Sequence, residues 1–343
     1  MGSGLSDDKA ERESALTAWA FDALLECGFE PPPEFSLRVA SDDASFRRYF
    51  RGEAADRSFI FVDAPPAQED SAPFVEISGL LRDAGINAAQ VLAKDLGRGF
   101  MMLGDFGDRH YADALAMGDP ARVEALYDDA IDTLVRMQGI RGDLPLYDEK
   151  RLRDEMSLFT RWFLPRQLGL ELDAGELALI ERVMERMVEN ATGQPQVFVH
   201  RDYHCRNLMI VERGNPGVID FQDAVIGPVT YDLVSLLRDC YYRFDPDFIR
   251  RRVDEFRKAC GQGKTPPEQF RQWFDWMGLQ RHLKVAGIFS RLNLRDGKPR
   301  YLADIPLVVD YMVEVAGDYE ELHEFRDWLR GRVVPYVTGL GEP

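Results

Sequence analysis

His200-Arg201-Asp202-Tyr203-His204-Cys205-Arg206-Asn207 is the stretch on which the reading of this chain turns. An Asp follows a His by two positions, and an Asn follows that Asp by five. With 5 His in 343 residues and the observed frequencies of Asp and Asn, a His-x-Asp-x-x-x-x-Asn match is expected by chance about 0.007 times. Val197-Phe198-Val199 reads as an apolar strand leading in, and Leu208 to Val211 leads out to a Gly-Asn-Pro turn. A second strand then delivers Val218-Ile219-Asp220-Phe221. Two carboxylates and an amide therefore sit on strand ends or the loop between them, where a hairpin brings Asn207 and Asp220 together.

Phosphoryl transfer needs groups of these types. A hard Mg²⁺ takes oxygen ligands, one or two from protein and the rest from phosphates and water, which suits the Asn207 carbonyl and the Asp220 carboxylate. A separate carboxylate orients the attacking hydroxyl and receives its proton, and Asp202 is placed for that role. Were Asp202 a third metal ligand, His204 would be the base left in this loop. The plainer alternative is an exposed polar hairpin in which Asp202 and Asn207 cap turns and His200 packs as a satisfied histidine.

Outward from this stretch, the chain divides by pattern. Between Ser6 and Gly28, Leu16, Trp19, Ala20, Ala23, Leu24 and Cys27 keep the spacing of one helical face. Strands are predicted at Phe35 to Ala40, Phe46 to Arg51 and Ser58 to Asp63, with a polar turn at Ser41 to Ser45. A helix through Phe74, Ile77, Leu80 and Leu81 follows, ending near Gly85, and two more apolar runs stand at Gln90 to Ala93 and Phe100 to Leu103. Beyond about Asp119 the pattern is helical, with long helices over 120–138, 149–168 and 174–190 and more after 229, broken by strands at 197–200, 208–211 and 217–220. The expected architecture is α+β: a small sheet-containing lobe over residues 1–104 and a larger, mainly helical lobe over 105–343 that carries the hairpin.

Composition limits the partners. The formal charge is −17, the apolar fraction 45% and the charged fraction 29%, which excludes collagen-like and largely disordered chains. An acidic balance disfavours a broad nucleic-acid surface, because counterion release needs a dense Lys/Arg face. No run approaches a membrane span, so no membrane partner and a cytoplasmic location are expected. Cys27, Cys205, Cys240 and Cys260 form no C-x-x-C pair, so reduced thiols are expected rather than a disulfide framework or a zinc site. Met1 to Ser6 fits the loose N-myristoylation pattern but reads better as a vector scar.

The run His200 to Asn207, followed by Ile219-Asp220-Phe221-Gln222-Asp223, resembles the aminoglycoside phosphotransferase family, a branch of the protein-kinase-like fold. Val199 to Met209 and Gly217 to Asp239 resemble one subgroup in particular. That subgroup is the anomeric N-acetylmuramate/N-acetylglucosamine kinases of bacterial cell-wall recycling. The resemblance implies a bilobal kinase-like fold and an ATP- and Mg²⁺-dependent transfer to a sugar hydroxyl. It makes Asp202 the catalytic base, Asn207 and Asp220 the metal ligands, and Leu103, Asp105 and Phe106 part of the hinge segment that meets adenine.

The chain departs from the kinase pattern in its first lobe. It has no Gly-x-Gly-x-x-Gly loop, and the third strand, Phe59 to Asp63, ends in an acid where a Lys is expected; the only lysines before residue 105 are Lys9 and Lys94. Arg47, Arg48 and Arg51 are the nearest cations for the phosphates, with Arg48 preferred and Glu76 expected to orient one of them as an ion pair. For the acceptor, His204, Arg206, Asp232 and Arg238 are the candidate contacts, with Asp239, Tyr241 and Tyr242 nearby. A lactyl carboxylate wants an Arg fork such as Arg206 or Arg238 supplies. The Asp that corresponds to Asp232 in the family stabilises the catalytic loop, so a supporting role there is the other reading. Trp273-Phe274-Asp275-Trp276 reads as core at helical spacing, with a stacking wall as the alternative. Two further readings remain open: another acceptor, such as an aminoglycoside, choline or homoserine, and a catalytically silent nucleotide-binding module.

Overall fold

Leu16, Ala20, Ala23 and Leu24 do form one face of a helix, α1 (Ser3–Glu26), and that face is fully buried. The structure, a computed structural model, describes residues 3–41 and 47–340. Met1 and Gly2 of the acylation pattern, and residues 42–46 of the expected turn and strand start, lie outside the described residues. The chain forms two compact units, one of residues 1–130 with 206–223 and one of 131–205 with 224–343.

The first unit is built on a five-stranded antiparallel sheet of β1 (Arg38–Ser41), β2 (Arg48–Ala54), β3 (Arg57–Asp63), β4 (Val91–Asp95) and β5 (Phe100–Gly104), in the order β1-β2-β3-β5-β4. The register puts Phe50 opposite Phe61 and Phe61 opposite Met102, so one face of three neighbouring strands carries a continuous apolar row. The buried face of α1 packs on that row together with Phe59 and Phe100. Each such Leu or Phe buried fully contributes about 1.5–3 kcal/mol, so α1 is part of the sheet's own core. Helix α2 (Ala72–Asp83) buries Phe74, Ile77 and Leu81, as its spacing predicts. Helix α3 (Tyr111–Met117) was not visible in the pattern, and α4 (Pro120–Met137) runs from the first unit into the second.

The same unit holds a short hairpin of β7 (Leu208–Met209) and β8 (Gly217–Val218), with Leu208 paired to Val218. Its register is fixed by the backbone of the α2–β4 link: Val218 donates to the Asn87 carbonyl at 2.9 Å, and Ala89 donates to the Val218 carbonyl at 3.2 Å. Gly217 is required by close approach, since a Cβ there would stand 2.9 Å from the Phe106 ring.

Among the described residues, the strands of the second unit are the pair β6 (Gln196–Val199) and β9 (Val225–Pro228), with Val199 opposite Val225. Helices make up the rest: α5 (Glu149–Leu158), which continues as a π-helical stretch through Phe159–Gln167, α6 (Ala174–Thr192), α7 (Tyr231–Leu237), α8 (Pro246–Ala259) and α9 (Pro267–Asp296). The last three are α10 (Ile305–Asp318), α11 (His323–Trp328) and α12 (Val334–Val337). A helix exposed on one side shows an apolar stripe; α9 shows none, because every residue from Phe274 to Gly287 is buried. Gly287 lets it pass tightly over α5, as a Cβ there would stand 2.4 Å from the Leu158 carbonyl carbon. Asp275, Gln280, Arg281, His282 and Lys284 are consequently polar groups inside the unit.

Candidate functional site

The chain passes from the second unit to the first between Cys205 and Arg206, so the decisive stretch is shared by both. In the second unit, β6 ends at Val199 and the loop from His200 to Cys205 is gripped from beneath by Asp232, which sits near the start of α7. The backbone N–H of His200 donates to Asp232 Oδ2 at 2.7 Å and that of Arg201 to Oδ1 at 3.0 Å. Asp232 is 1% exposed, so its carboxylate holds the loop and is not open to a ligand; the acceptor contact expected there gives way to the supporting role. Burial pushes its carboxyl up to about 7, against the opposing pull of the two backbone N–H groups and of Arg281.

Arg201 takes a left-handed backbone conformation at φ +80°, which turns the chain so that Asp202 follows at the tip. The Asp202 N–H donates to His200 Nδ1 at 3.3 Å, and the His204 N–H donates to the Asp202 carbonyl at 3.1 Å. The Asp202 carboxylate keeps 38% exposure. Burial alone would raise its pKa, but the fields of Lys284, Arg281, His204 and Arg201 outweigh that and hold it well below the usual carboxylate range. It is therefore an anion, able to accept a hydrogen bond, throughout the physiological range.

Those cations come from a buried network. Arg281 on α9 has Nη2 3.7 Å from Asp202 Oδ1 and donates through Nη1 to the Arg201 carbonyl at 2.9 Å. Lys284, one turn on, donates to the Tyr231 hydroxyl at 3.1 Å and lies 3.2 Å from Glu155. Glu155 also receives the Arg201 guanidinium and the Tyr147 hydroxyl. Burial works to raise the Glu155 pKa, yet Lys284 and Arg201 bring it below the ordinary value. Arg281, Lys284 and Glu155 escaped the sequence reading; for the first two the signal was present as two cations among the mainly apolar residues of Trp276 to Phe289.

The far end of the loop is held by a second buried acid. Asp239, 1% exposed, accepts the Cys205 thiol at 2.8 Å and the Tyr241 N–H at 3.1 Å. His204 stands edge-on to Tyr241, with ring centroids 5.4 Å apart. Arg238 pairs with Asp275 at 2.7 Å and lies over the Phe274 ring. It lines a cavity of about 330 Å³ with Arg243, Phe244, Phe274 and Tyr311. The Trp273 to Trp276 run thus lies on the buried helix, with Phe274 and Asp275 also facing that cavity.

In the first unit the hairpin does bring Asn207 and Asp220 together, with Asn207 Nδ2 3.1 Å from Asp220 Oδ2. The Ile219 N–H donates to the Asn207 carbonyl at 3.2 Å, and Gln222 donates to Asp220 Oδ1 at 2.8 Å. Asp220 is left-handed at φ +62°, a conformation that persists in a non-glycine residue where its surroundings fix it. The adjoining Phe221 is fully buried, its ring centroid 4.7 Å from that of Phe74 on α2. An amide and a carboxylate side by side supply the hard oxygen donors that a Mg²⁺ ion prefers. Arg206 is exposed, and its carbonyl lies 2.8 Å from His110 Nδ1.

The cations of the sheet are otherwise engaged than expected. Arg48 pairs with the fully buried Asp63 at 2.5 Å, and Arg12 of α1 reaches the same carboxylate. Arg47 lies 3.4 Å from Glu69. Glu76 is exposed and, among the described residues, makes no ion pair, so the expected Glu76–Arg pair is replaced by Arg48–Asp63. Arg51 grips Asp105 through Nε at 2.5 Å and Nη2 at 3.0 Å, which leaves the Asp105 side chain 2% exposed. Leu103 lies within the sheet opposite Ile60, and Phe106 packs on Gly217.

Comparison with known proteins places these features. A profile of the phosphotransferase enzyme family matches residues 36–270. An N-acetylmuramate/N-acetylglucosamine kinase of Pseudomonas aeruginosa is 43% identical over 335 residues, covering 95% of this chain and 97% of that protein. Proteins of the same name from Pseudomonas putida and Caulobacter vibrioides are 42% and 31% identical over 91% and 96% of this chain, and over 94% and 98% of their own lengths. Among solved structures, ADP-bound aminoglycoside phosphotransferase APH(2'')-Ib superposes with a TM-score of 0.55 at 16% identity, over 82% of this chain and 95% of that one. A Plasmodium vivax ethanolamine kinase does so with 0.58 at 10% identity, over 81% and 82%. These two share the fold of this chain: a small antiparallel sheet with a mostly helical remainder.

Proposed function

The chain belongs to the phosphotransferase enzyme family, and on that premise we propose that it is a sugar kinase of cell-wall recycling, transferring the γ-phosphoryl group of ATP to the anomeric hydroxyl of N-acetylmuramate, N-acetylglucosamine or both. The observation that carries this reading is the 42–43% identity, over more than nine tenths of the chain, to two kinases of that name.

In this reading Asp202 is the catalytic carboxylate. Its depressed pKa makes it a weak base, suited to accepting a hydrogen bond from the sugar hydroxyl and taking the proton only as the new bond to phosphorus forms. Asn207 and Asp220 would hold Mg²⁺, whose donor preference their amide and carboxylate oxygens fit. The metal, when bound, neutralises charge on the β- and γ-phosphates. Asp232 and Asp239 fix the loop from its two ends, so Asp202 is presented without further rearrangement. Leu103 to Phe106 form the adenine contact, with residues 1–104 and 105–343 as the two lobes. Arg48 reaches the phosphates only by exchanging Asp63 for them, which makes it a weaker assignment than the sequence suggested. His204, Arg206 and Arg238 remain the proposed acceptor contacts, Arg238 having the Phe274 face and a cavity beside it. A cytoplasmic location follows the same reading; among the described residues no helix is long and apolar enough to cross a membrane.

Two measurements, one on a variant and one on the wild type, test the proposal. Asp202→Asn removes the proton acceptor, and sugar-dependent ADP formation is expected to fall by about 10²–10⁴-fold while nucleotide binding is retained. Phosphorus NMR of the wild-type product is expected to show a glycosyl phosphate. Turnover near wild type in the variant, or a primary phosphate ester as product, refutes the corresponding part.

A further inference from the structure

A guanidinium inside a helix that is buried on all sides is expensive unless it has work there. Arg281 is 5% exposed in the middle of α9, and besides the Tyr231 hydroxyl at 3.3 Å its contacts fall on two consecutive residues of the loop. Nη1 holds the Arg201 carbonyl at 2.9 Å, and Nη2 stands 3.7 Å from Asp202 Oδ1. The Arg201 N–H is held in turn by Asp232 at 3.0 Å. This left-handed residue, at φ +80°, is thus gripped at both its N–H and its carbonyl, which sets the direction in which Asp202 leaves it.

We infer that Arg281 is a positioning residue for the reaction: it sets the place of the Asp202 carboxylate by hydrogen-bonding the carbonyl just before it through one nitrogen and facing the carboxylate as an ion pair with the other. The inference rests on the reading of Asp202 as the catalytic carboxylate. A Lys could supply the charge but, with a single nitrogen, not both the hydrogen bond to the Arg201 carbonyl and the ion pair from a second nitrogen, so the two contributions separate on substitution.

The surroundings of Asp202 give the charge part a clear direction. Facing the cluster are His200, Arg201 and His204 from the loop, Tyr147 just before α5, Glu155 from α5, Tyr231 and Asp232 from α7, Asp239 and Cys240 just after α7, and Arg281 and Lys284 from α9. Four carboxyl groups stand against three permanent cations. Taking away Arg281 deepens that excess of carboxyl groups in a poorly hydrated place, and Asp202 then binds a proton at a higher pH.

The test is the pH profile of kcat, with saturating MgATP and N-acetylglucosamine, for wild type, Arg281→Lys and Arg281→Met, beside Asp202→Asn. Arg281→Met is expected to lose about tenfold or more at pH 8 and to lose additional activity as the pH falls towards 5.5, at up to about tenfold per unit. Arg281→Lys keeps the wild-type shape on the acid side but still loses at least about threefold in kcat with KM for ATP unchanged, because one of the two contacts is gone. The inference fails if Arg281→Lys matches wild type, or if folded Arg281→Met loses activity equally at every pH, as a merely structural residue would. Should Arg281→Met not fold, the kcat of Arg281→Lys decides the matter. An active Asp202→Asn would remove the underlying reading instead, a result distinct from any outcome at position 281.

Discussion

His282, beside Arg281, shows how much a single buried group can bind the molecule to a pH range. It is 1% exposed, stacked 5.0 Å from Tyr311 and 3.2 Å from the Arg238 carbonyl, a partner that requires Nε2 to carry the proton. Burial drives its pKa from 6.5 down to about 3. The unfolded chain therefore binds a proton below 6.5 that the folded chain refuses, and stability contributed by this site is present above 6.5 and lost as the pH falls towards 3. Urea midpoints at pH 7, 6 and 5 should show the wild type losing up to about 1.4 kcal/mol per unit from this source. His282→Phe, which keeps a flat ring on Tyr311, should be less pH-sensitive over that span; parallel curves would show the assignment to be mistaken. At this scale the sequence was informative where chemistry and spacing coincide. Asp202 and Asn207 stood out as candidates because they share one short motif, and Asp220 because it ends the strand that follows; of these the structure brings Asn207 and Asp220 within 3.1 Å. Arg281 was not, because it meets the Arg201 carbonyl across 80 positions and no local pattern marks that contact.

Among the elements, α9 has the greatest influence on the candidate site, since it delivers Arg281, Lys284 and Asp275 from one rigid rod. Its depth is set by Gly287, whose missing Cβ is replaced by the backbone of Leu158 at 2.4 Å. Gly287→Ala must push α9 and α5 apart. It is expected to cost about 1–3 kcal/mol, by the usual penalty for overpacking, and to lower kcat as Arg281 moves from the loop. Thermal melts and turnover together check this; full stability with full activity would mean that the helix can slide without consequence. The strands were predicted with small boundary shifts, whereas β9 and α3 were missed because four and seven residues carry too little periodicity to read. The long buried α9 was seen only as helix. Its burial on every side was hidden by the polar residues that sit within it.

At the scale of the whole molecule, the fold class was legible from the change of pattern along the chain, a small sheet first and helices after. A boundary read along a sequence is continuous, however, and the first unit is not, since it takes residues 206–223 back from beyond the second. Both ends of the described chain are tied into their own unit. Trp328 and Arg332 fasten to Glu176 at 2.9 and 2.7 Å near the carboxyl end, and α1 closes the sheet core near the amino end. Deleting residues 1–26 should uncover Phe50, Phe59 and Phe61 and remove Arg12 from Asp63. The loss is expected to reach about 5 kcal/mol or more, comparable to the whole stability of an ordinary domain, so the truncated chain should be insoluble or unfolded. Soluble, cooperatively melting material would show that the sheet has another cover.

The buried Asp63 at the end of β3, neutralised by Arg48 and Arg12, also bears on how this enzyme can be tagged or blocked. A reagent that acylates or sulfonylates amines finds no lysine on that strand, and the side chain at its end is a carboxylate held in an ion pair, so a covalent label for β3 must be designed around a different nucleophile.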